Sequence, residues 1–216
     1  LLAITFSTAS YSQTAITDDN FQDAINTCLS ISPEDGLCTN SEYGEMPDWV
    51  VSNVTDMSKA FENETTFNGD ITDWDLSSVT NMQAMFNNAS VFNQSLNDWD
   101  TSNVVNMIKV FYEASAFDGD ISSWNVSNVT NMASMFNGAS SFNQPIGSWQ
   151  TNSVANMEKM FNSATSFNQS LNDWDTSSVT NMQAMFNNAS VFNQSLNGWD
   201  TSNVVNMIKV FYEASA

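Results

Sequence analysis

Large apolar side chains recur along the chain with a fixed period of 25 residues. The unit is clearest in the run WDLSSVTNMQAMFNNASVFNQSLND, which begins at Trp74 and starts again at Trp99. A valine follows each Trp after five residues, a methionine after eight, and phenylalanines after twelve and eighteen. The tryptophans that mark the period are Trp49, Trp74, Trp99, Trp124, Trp149, Trp174 and Trp199. Self-similarity at this period is typical of a repeat array.

One unit is too small to fold alone. It offers about six large apolar side chains, and burial of each contributes roughly 1.5 to 3 kcal/mol. Ordering every residue of the unit costs about 1.5 kcal/mol per residue. Only neighbouring units stacked on both faces can close that gap, so we predict a solenoid with one continuous apolar core.

The spacing within a unit predicts two elements. Four apolar side chains follow one another at intervals of three, four and three residues, which is typical of one face of a helix: Val79, Met82, Phe86 and Ala89. The later apolar positions fit neither a strand nor a long helix, and we place a short strand around Ser95–Trp99. The predicted fold class is therefore α/β, with one short parallel strand and one short helix in each 25-residue repeat of residues 49–216.

Residues 1–12 begin with a short apolar run, LLAITF, followed by small polar residues. Ser10 and Ser12 stand at the minus-three and minus-one positions of a cleavage site before Gln13, as in a secretory signal peptide. We interpret residues 1–12 as the remnant of such a signal, absent from the mature protein. An N-terminal strand is the alternative.

Residues 13–48 predict an N-terminal cap. An apolar stripe indicates a helix from about Asp18 to Leu29, with Thr17 as its N-cap. The only two cysteines, Cys28 and Cys38, flank the turn SPEDG. In an exported protein a disulfide between them is the natural interpretation, and two free thiols or half a metal site are the alternatives. The cap is expected to cover the open apolar end of the first repeat.

The charge and composition of the chain argue against several classes of function. The chain has 24 acidic side chains, four lysines, no arginine and no histidine, which gives a net charge of −20. This charge repels phosphate, so we expect neither a nucleic-acid partner nor insertion of the mature chain into a membrane. Without His or Arg the chain lacks a proton shuttle near neutral pH and a bidentate clamp for anions. We therefore expect no enzyme and assign no catalytic residue.

Acidic and amide side chains accompany the apolar columns. Asparagines recur beside the valine and the second phenylalanine, and we interpret them as scaffold that bonds to the backbone of the adjacent repeat. Acids cluster around the tryptophans, and Asp70, Asp118 and Asp120 add further carboxylates. Calcium held between repeats is the alternative to a solvated acidic face. Since no known calcium-binding loop is present, we predict no cofactor and no metal site.

The runs WDTSNVVNM and MFNNASVFNQSL resemble the repeat of BspA-like leucine-rich-repeat surface proteins of bacteria. The resemblance covers Trp49–Ala216, with departures at Asp56, Glu64 and Asn152. It implies a right-handed, leucine-rich-repeat-like solenoid, export to the cell surface and a role in adhesion or protein recognition. Repeat scaffolds are reused for unrelated partners, so the resemblance does not name a ligand.

We expect a secreted or cell-surface binding module that recognises an extracellular protein or glycan through one face of the solenoid. The predicted contact residues directly follow six tryptophans: Asp75, Asp100, Asn125, Gln150, Asp175 and Asp200. The alternative is a structural spacer or filament segment, because Trp74–Ala116 and Trp174–Ala216 differ at only two of 43 positions.

The sequence stops in the middle of its seventh unit, at Ala216. We expect the natural protein to continue beyond this point, into an anchoring or secretion domain. We also expect the chain as given to associate end to end, because an unfinished array exposes apolar surface.

Overall fold

The computed structural model describes residues 13–214, so the predicted signal remnant at residues 1–12 lies outside the described residues. Within residues 13–214, regular helix is confined to the N-terminal end. The α-helix α1 spans Phe21–Ile31, and a single 3₁₀ turn spans Met46–Asp48. The remainder is built from tight turns and extended segments.

From Trp49 onward each 25-residue repeat forms one coil, and successive coils stack on one another. We number the coils from 1, at Trp49, to 7, at Trp199, and count positions within a coil from its Trp. Isolated parallel β-bridges join the eighth positions of neighbouring coils: Asp56, Asn81, Asn106, Asn131, Asn156, Asn181 and Asn206. Backbone amides reinforce the stack, as when Met57 N donates to Asn81 O at 2.9 Å and Phe61 N donates to Met85 O at 2.8 Å.

The predicted repeat helix is wrong. The apolar side chains from Val79 to Ala89 lie on consecutive tight turns, in which Met85 N donates to Met82 O at 3.1 Å. Such turns repeat every three to four residues and so reproduce the spacing of a helical face. Ala84 has a left-handed φ of 56°, which a helix does not accommodate. Its amide instead donates across to Ile108 O in the next coil at 2.8 Å.

The predicted repeat strand is also wrong. Around Ser95–Trp99 the chain turns, because Trp99 N donates back to Leu96 O at 3.2 Å. Leu96 N makes a single bond across the stack, to Asp120 O at 2.9 Å, and the described residues form no ladder there. The molecule is therefore not an α/β, leucine-rich-repeat-like solenoid with a strand and a helix in each repeat. It is a stack of turn-rich coils.

The apolar columns that the period predicts are confirmed. Aromatic rings at equivalent positions stack face to face from coil to coil, as for Phe86 and Phe111, whose ring centroids lie 5.5 Å apart at an angle of 3°. The tryptophans form a parallel column, with Trp99 and Trp124 separated by 6.3 Å. Within a coil the two phenylalanines also stack, at 3.7 Å for Phe111 and Phe117. These rings are buried throughout the first six coils, whereas in the seventh Trp199 is only partly buried and Phe211 is 52% exposed.

The cap closes the first coil. In α1, Phe21 packs edge-on against Trp74 at 5.8 Å, and the predicted disulfide between Cys28 and Cys38 is present. The helix begins three residues later than predicted, after Asn20, whose side-chain oxygen accepts the backbone amide of Thr17 at 2.8 Å. Thr17 therefore does not cap the helix.

Candidate recognition surface

The six predicted contact residues lie in one line on the surface. Each occupies the second position of its coil and is exposed. Buried threonines at the third position tie the coils together beneath the line. Thr101 donates its hydroxyl to the backbone carbonyl of Asn125 at 3.0 Å, and Thr151 donates to that of Asp175 at 2.9 Å. We call the six the acidic row: Asp75, Asp100, Asn125, Gln150, Asp175 and Asp200.

Five members of the acidic row share one local conformation. The side-chain oxygen of the second residue accepts the backbone amide two residues later, as from Ser77 N to Asp75 Oδ1 at 3.0 Å. The same Asx turn forms at Asn125, which accepts Ser127 N at 3.1 Å. This turn fixes the direction of each carboxylate or amide relative to the coil. An Asp or Asn followed two residues later by Ser is the sequence signal for this Asx turn. The spacing of apolar residues does not reveal it.

The local hydrogen bonds keep the aspartates charged. Donation from the Ser77 hydroxyl and amide lowers the pKa of the Asp75 carboxyl below its usual value. The hydroxyl and amide of Ser102 lower the pKa of Asp100 in the same way, opposed by burial and by the charge of Asp75. The acidic row therefore presents fixed negative charge at neutral pH, because hydrogen bonds to a carboxylate favour its ionised form.

Gln150 interrupts this pattern. Its side-chain amide donates to the carbonyl of Ser148 at 2.6 Å instead of accepting from a later residue. A shallow surface depression of about 570 Å³ lies beside it, bordered by Gly147, Asn152 and Asp173. The acidic row is thus continuous in position but not in charge, since Asn125 and Gln150 are neutral.

The carboxylates considered for calcium serve the scaffold. Asp118 accepts the backbone amide of Asn143 and the side-chain amide of Gln144, both at 2.8 Å. Asp70 accepts the hydroxyl of Thr72 at 2.7 Å. Across residues 13–214, no three side chains of the metal-binding types converge on one point. The geometry of the described residues therefore gives no basis for a metal centre.

One of the two asparagine columns bonds to the backbone of the adjacent coil, as the sequence predicts. Asn68 Oδ1 accepts the backbone amide of Asn93, 25 residues later, at 2.8 Å. At the eighth position, Asn106 donates its amide to Asn81 Oδ1 at 3.1 Å. The interpretation as scaffold bonded to the adjacent backbone therefore holds for the column after the second phenylalanine, whereas at the eighth position amides bond to side chains or within their own coil, as Ala133 N does to Asn131 Oδ1 at 3.0 Å.

The fold and surface together define a class: a repeat protein of stacked 25-residue coils with aromatic columns inside and acidic and amide side chains outside. The chain belongs to the family described as Mycoplasma protein of unknown function, DUF285, which matches residues 36–145 and 118–216. No curated protein and no solved structure matches the chain. In the part of the chain that the structure describes, no helix has the length and apolarity needed to cross a membrane.

Proposed function

We propose that this chain is a non-catalytic binding module, secreted or held at the bacterial cell surface, that recognises an extracellular protein or glycan through the acidic row. The observation that carries the proposal is the regular presentation of six exposed carboxylates and amides, one from each of six stacked coils. An extended line of carboxylate and amide groups at a regular spacing suits a long or repetitive ligand better than a small substrate.

The chemistry of the row favours ligands that donate hydrogen bonds. Ionised Asp75, Asp100 and Asp175 accept hydrogen bonds from ammonium, guanidinium or hydroxyl groups. The amides of Asn125 and Gln150 add groups that both donate and accept. All four lysines lie at the eleventh position, nine residues after the row, and within residues 13–214 none of them forms a salt bridge with an aspartate of the row. A polyhydroxylated glycan or a basic protein surface matches this set.

Export is part of the proposal. A disulfide persists in an oxidising compartment and is rare in a reducing one, and Cys28 and Cys38 form one. The resemblance of residues 49–216 to BspA-like surface proteins supports the same location and the role in adhesion. The absence of His and Arg from the sequence supports a module without catalysis.

Binding to a glycan array and to immobilised collagen and laminin tests the proposal. The first variant replaces the four aspartates of the row by Asn, which Asn125 shows to be compatible with the Asx turn. The second replaces all six members of the row by Ala. We expect the Asn variant to lose affinity for the bound probe at least tenfold and the Ala variant to lose binding.

A matched control replaces exposed carboxylates elsewhere, at Asp19, Asp23 and Glu34, by their amides. This variant lowers the net charge without touching the row and should bind as the native chain does. Full retention of binding by the six-Ala variant, with an unchanged far-UV spectrum, would overturn the assignment of the row.

The structural spacer remains the second candidate function, and the duplication favours it. Trp74–Ala116 and Trp174–Ala216 differ at two of 43 positions, so copying has lengthened the array with almost no change of surface. Removing residues 99–198 joins coil 2 to coil 7 in register. A spacer then loses reach and keeps whatever a neighbouring segment binds, whereas a binding module loses affinity for its own ligand.

A further inference from the structure

Coil 3, residues 99–123, differs from its neighbours at three surface positions. Val105 replaces a threonine of coils 2 and 4, Ile108 replaces Gln or Ala, and Tyr112 replaces an asparagine. Lys109 lies among them. We call these four residues the coil-3 stripe: Val105, Ile108, Lys109 and Tyr112. The stripe lies on the run of tight turns between the seventh and fifteenth positions, not on the acidic row.

The stripe is apolar and carries an unneutralised cation. Val105 is 44% exposed, and Lys109 Nζ lies 5.1 Å from the centre of the Tyr112 ring. In coils 1 and 5 the equivalent lysines approach a glutamate, Glu62 at 3.8 Å and Glu158 at 3.4 Å. Lys109 forms no such pair within residues 13–214. Of these residue types, tyrosine is enriched where proteins meet, and an exposed aliphatic side chain beside it adds apolar surface.

Tyrosine at the fourteenth position interrupts a column of amide side chains that bond from coil to coil. In coils 4 to 6 this position forms a ladder of amides, in which Asn162 donates to Asn137 Oδ1 at 2.8 Å and Asn187 donates to Asn162 Oδ1 at 2.5 Å. The ladder stops at Tyr212, and the buried Oδ1 of Asn187 has no partner among the described residues. Leaving a buried acceptor unpaired is unfavourable. The tyrosine of coil 7 is therefore not explained by stability of the stack.

The stripe occurs twice. Coil 7 carries Val205, Ile208, Lys209 and Tyr212, and Lys209 Nζ lies 4.9 Å from the centre of the Tyr212 ring. The two stripes are four coils apart, roughly 20 Å for coils spaced like strands. A partner that engages both must present two matching patches at that distance. A second copy of this chain presents them by construction.

The charged residues beside the coil-3 stripe are complementary to those of a second copy. Lys109 and Glu113 are both exposed, four residues apart on the same run of turns. A two-fold axis parallel to the stack would place each lysine opposite the glutamate of the other copy, and the two contacts would be equivalent. Lys209 and Glu213 repeat the arrangement in coil 7.

We propose that two copies of this chain associate side by side, coil against equivalent coil, through the coil-3 stripe and its repeat in coil 7. The stripes supply apolar contact, and Lys109 and Lys209 pair with Glu113 and Glu213 of the second copy. Two linked contacts bind more tightly than one because the second forms within the complex. Salt near physiological concentration screens the remaining negative charge over about 8 Å, so the dimer is weaker at low salt, where the two acidic chains repel each other more.

Sedimentation equilibrium of the full 216-residue chain over a range of concentrations tests the proposal. Tyr112→Asn is the first variant, because it restores the amide found at this position in the neighbouring coils and should fold. We expect its dimer dissociation constant to rise at least tenfold. Thr80→Asn, at the surface of coil 2 outside the stripe, is the matched control and should leave association unchanged.

Charge complementation provides the second test. The double variants Lys109→Glu with Lys209→Glu, and Glu113→Lys with Glu213→Lys, should each be monomeric because like charges then face each other. Their equimolar mixture should form a heterodimer. A native chain that stays monomeric overturns the proposal. So does a dimer that Tyr112→Asn leaves intact, which is the result expected for end-to-end contact through coil 7.

Discussion

Trp124, the first residue of coil 4, donates its indole Nε1–H to the carbonyl oxygen of Leu96, near the end of coil 2, at 2.8 Å. The acceptor lies 28 residues before the donor, and the same bond recurs along the stack, as from Trp174 to the carbonyl of Ile146 at 3.0 Å. Each indole thus fills the core and also satisfies a backbone group near the end of the second coil before its own. This combination explains why a buried side chain with a polar atom marks every repeat.

Replacing Trp124 by Phe should destabilise the protein by about 2 to 3 kcal/mol. The change leaves the buried carbonyl of Leu96 without its donor and creates a small cavity. Urea unfolding followed by far-UV circular dichroism measures the loss. Trp199→Phe is the control, because that indole is only partly buried and should cost less than half as much. Equal losses at the two sites would contradict the role given to the internal column.

Ser163→Gly should stabilise the protein by about 1 kcal/mol. Ser163 has a left-handed φ of 58°, a conformation that is unfavourable for residues with a Cβ. Gly138 occupies the same position of coil 4 with a φ of 77°, which shows that the stack accepts glycine there. The midpoint of urea unfolding reports the gain.

Ser141→Gly serves as the control for that substitution. Ser141 is exposed and is not among the residues with positive φ. Glycine there only adds freedom to the unfolded chain, so stability should fall by about 0.5 to 1 kcal/mol. A loss of stability at Ser163 as well would show that the left-handed turns are not strained.

Removing the disulfide should weaken the cap. The bond joins Cys28 in α1 to Cys38, ten residues later, and closing a loop of this size is worth about 2 to 3 kcal/mol. The double variant Cys28→Ala, Cys38→Ala should therefore unfold at lower urea than the native chain. Reductant should lower the stability of the native chain and leave that of the variant unchanged. A variant as stable as the native chain would mean that the cap contributes nothing to the stack.

The hydrogen-bonded carboxylate of Asp18 should make the stability of the protein depend on pH. It accepts the backbone amide of Thr55 at 2.7 Å, in the place where later coils use a backbone carbonyl, as Thr80 N does with Thr55 O. Burial raises the pKa of Asp18, but hydrogen bonds from Thr55 and Asp56 prevail and lower it. Its folded pKa therefore lies below the unfolded value of about 3.9.

A carboxyl with a depressed folded pKa adds stability above its unfolded pKa and loses that contribution as the pH falls through the folded value. The difference in melting temperature between the native chain and Asp18→Asn should thus be present at pH 7 and shrink below about pH 4. Asp19→Asn is the control, because it removes a neighbouring charge whose carboxylate accepts no hydrogen bond within residues 13–214, unlike that of Asp18. A pH-independent difference for Asp18→Asn would contradict the assigned role.

The internal columns could be predicted from the sequence because period alone places Trp99 over Trp124 and Phe86 over Phe111. The disulfide could be predicted because only Cys28 and Cys38 are available. Burial of these side chains drives the stacking, and their 25-residue spacing identifies which of them are buried against one another.

The local conformation could not be predicted in the same way. Val79, Met82 and Phe86 have helical spacing, but Ala84 is left-handed and its amide bonds to the next coil. Whether an amide donates within its own coil or across the stack depends on a neighbour 24 residues away, and no local pattern records that choice. At the surface, the exposed second positions could be identified from the period. The surface role of Tyr112 could not, because that residue lies where the apolar spacing predicts a helix face.

Hydrogen exchange of the indole N–H groups, followed by NMR, tests the central claim most directly. If the coils stack as described, the indoles of Trp74, Trp99, Trp124, Trp149 and Trp174 will exchange at least about a thousandfold more slowly than free tryptophan, and that of Trp199 will exchange faster than they do. Exchange of the five at the rate of free tryptophan would show that the rings are not buried in columns and that the coils do not stack.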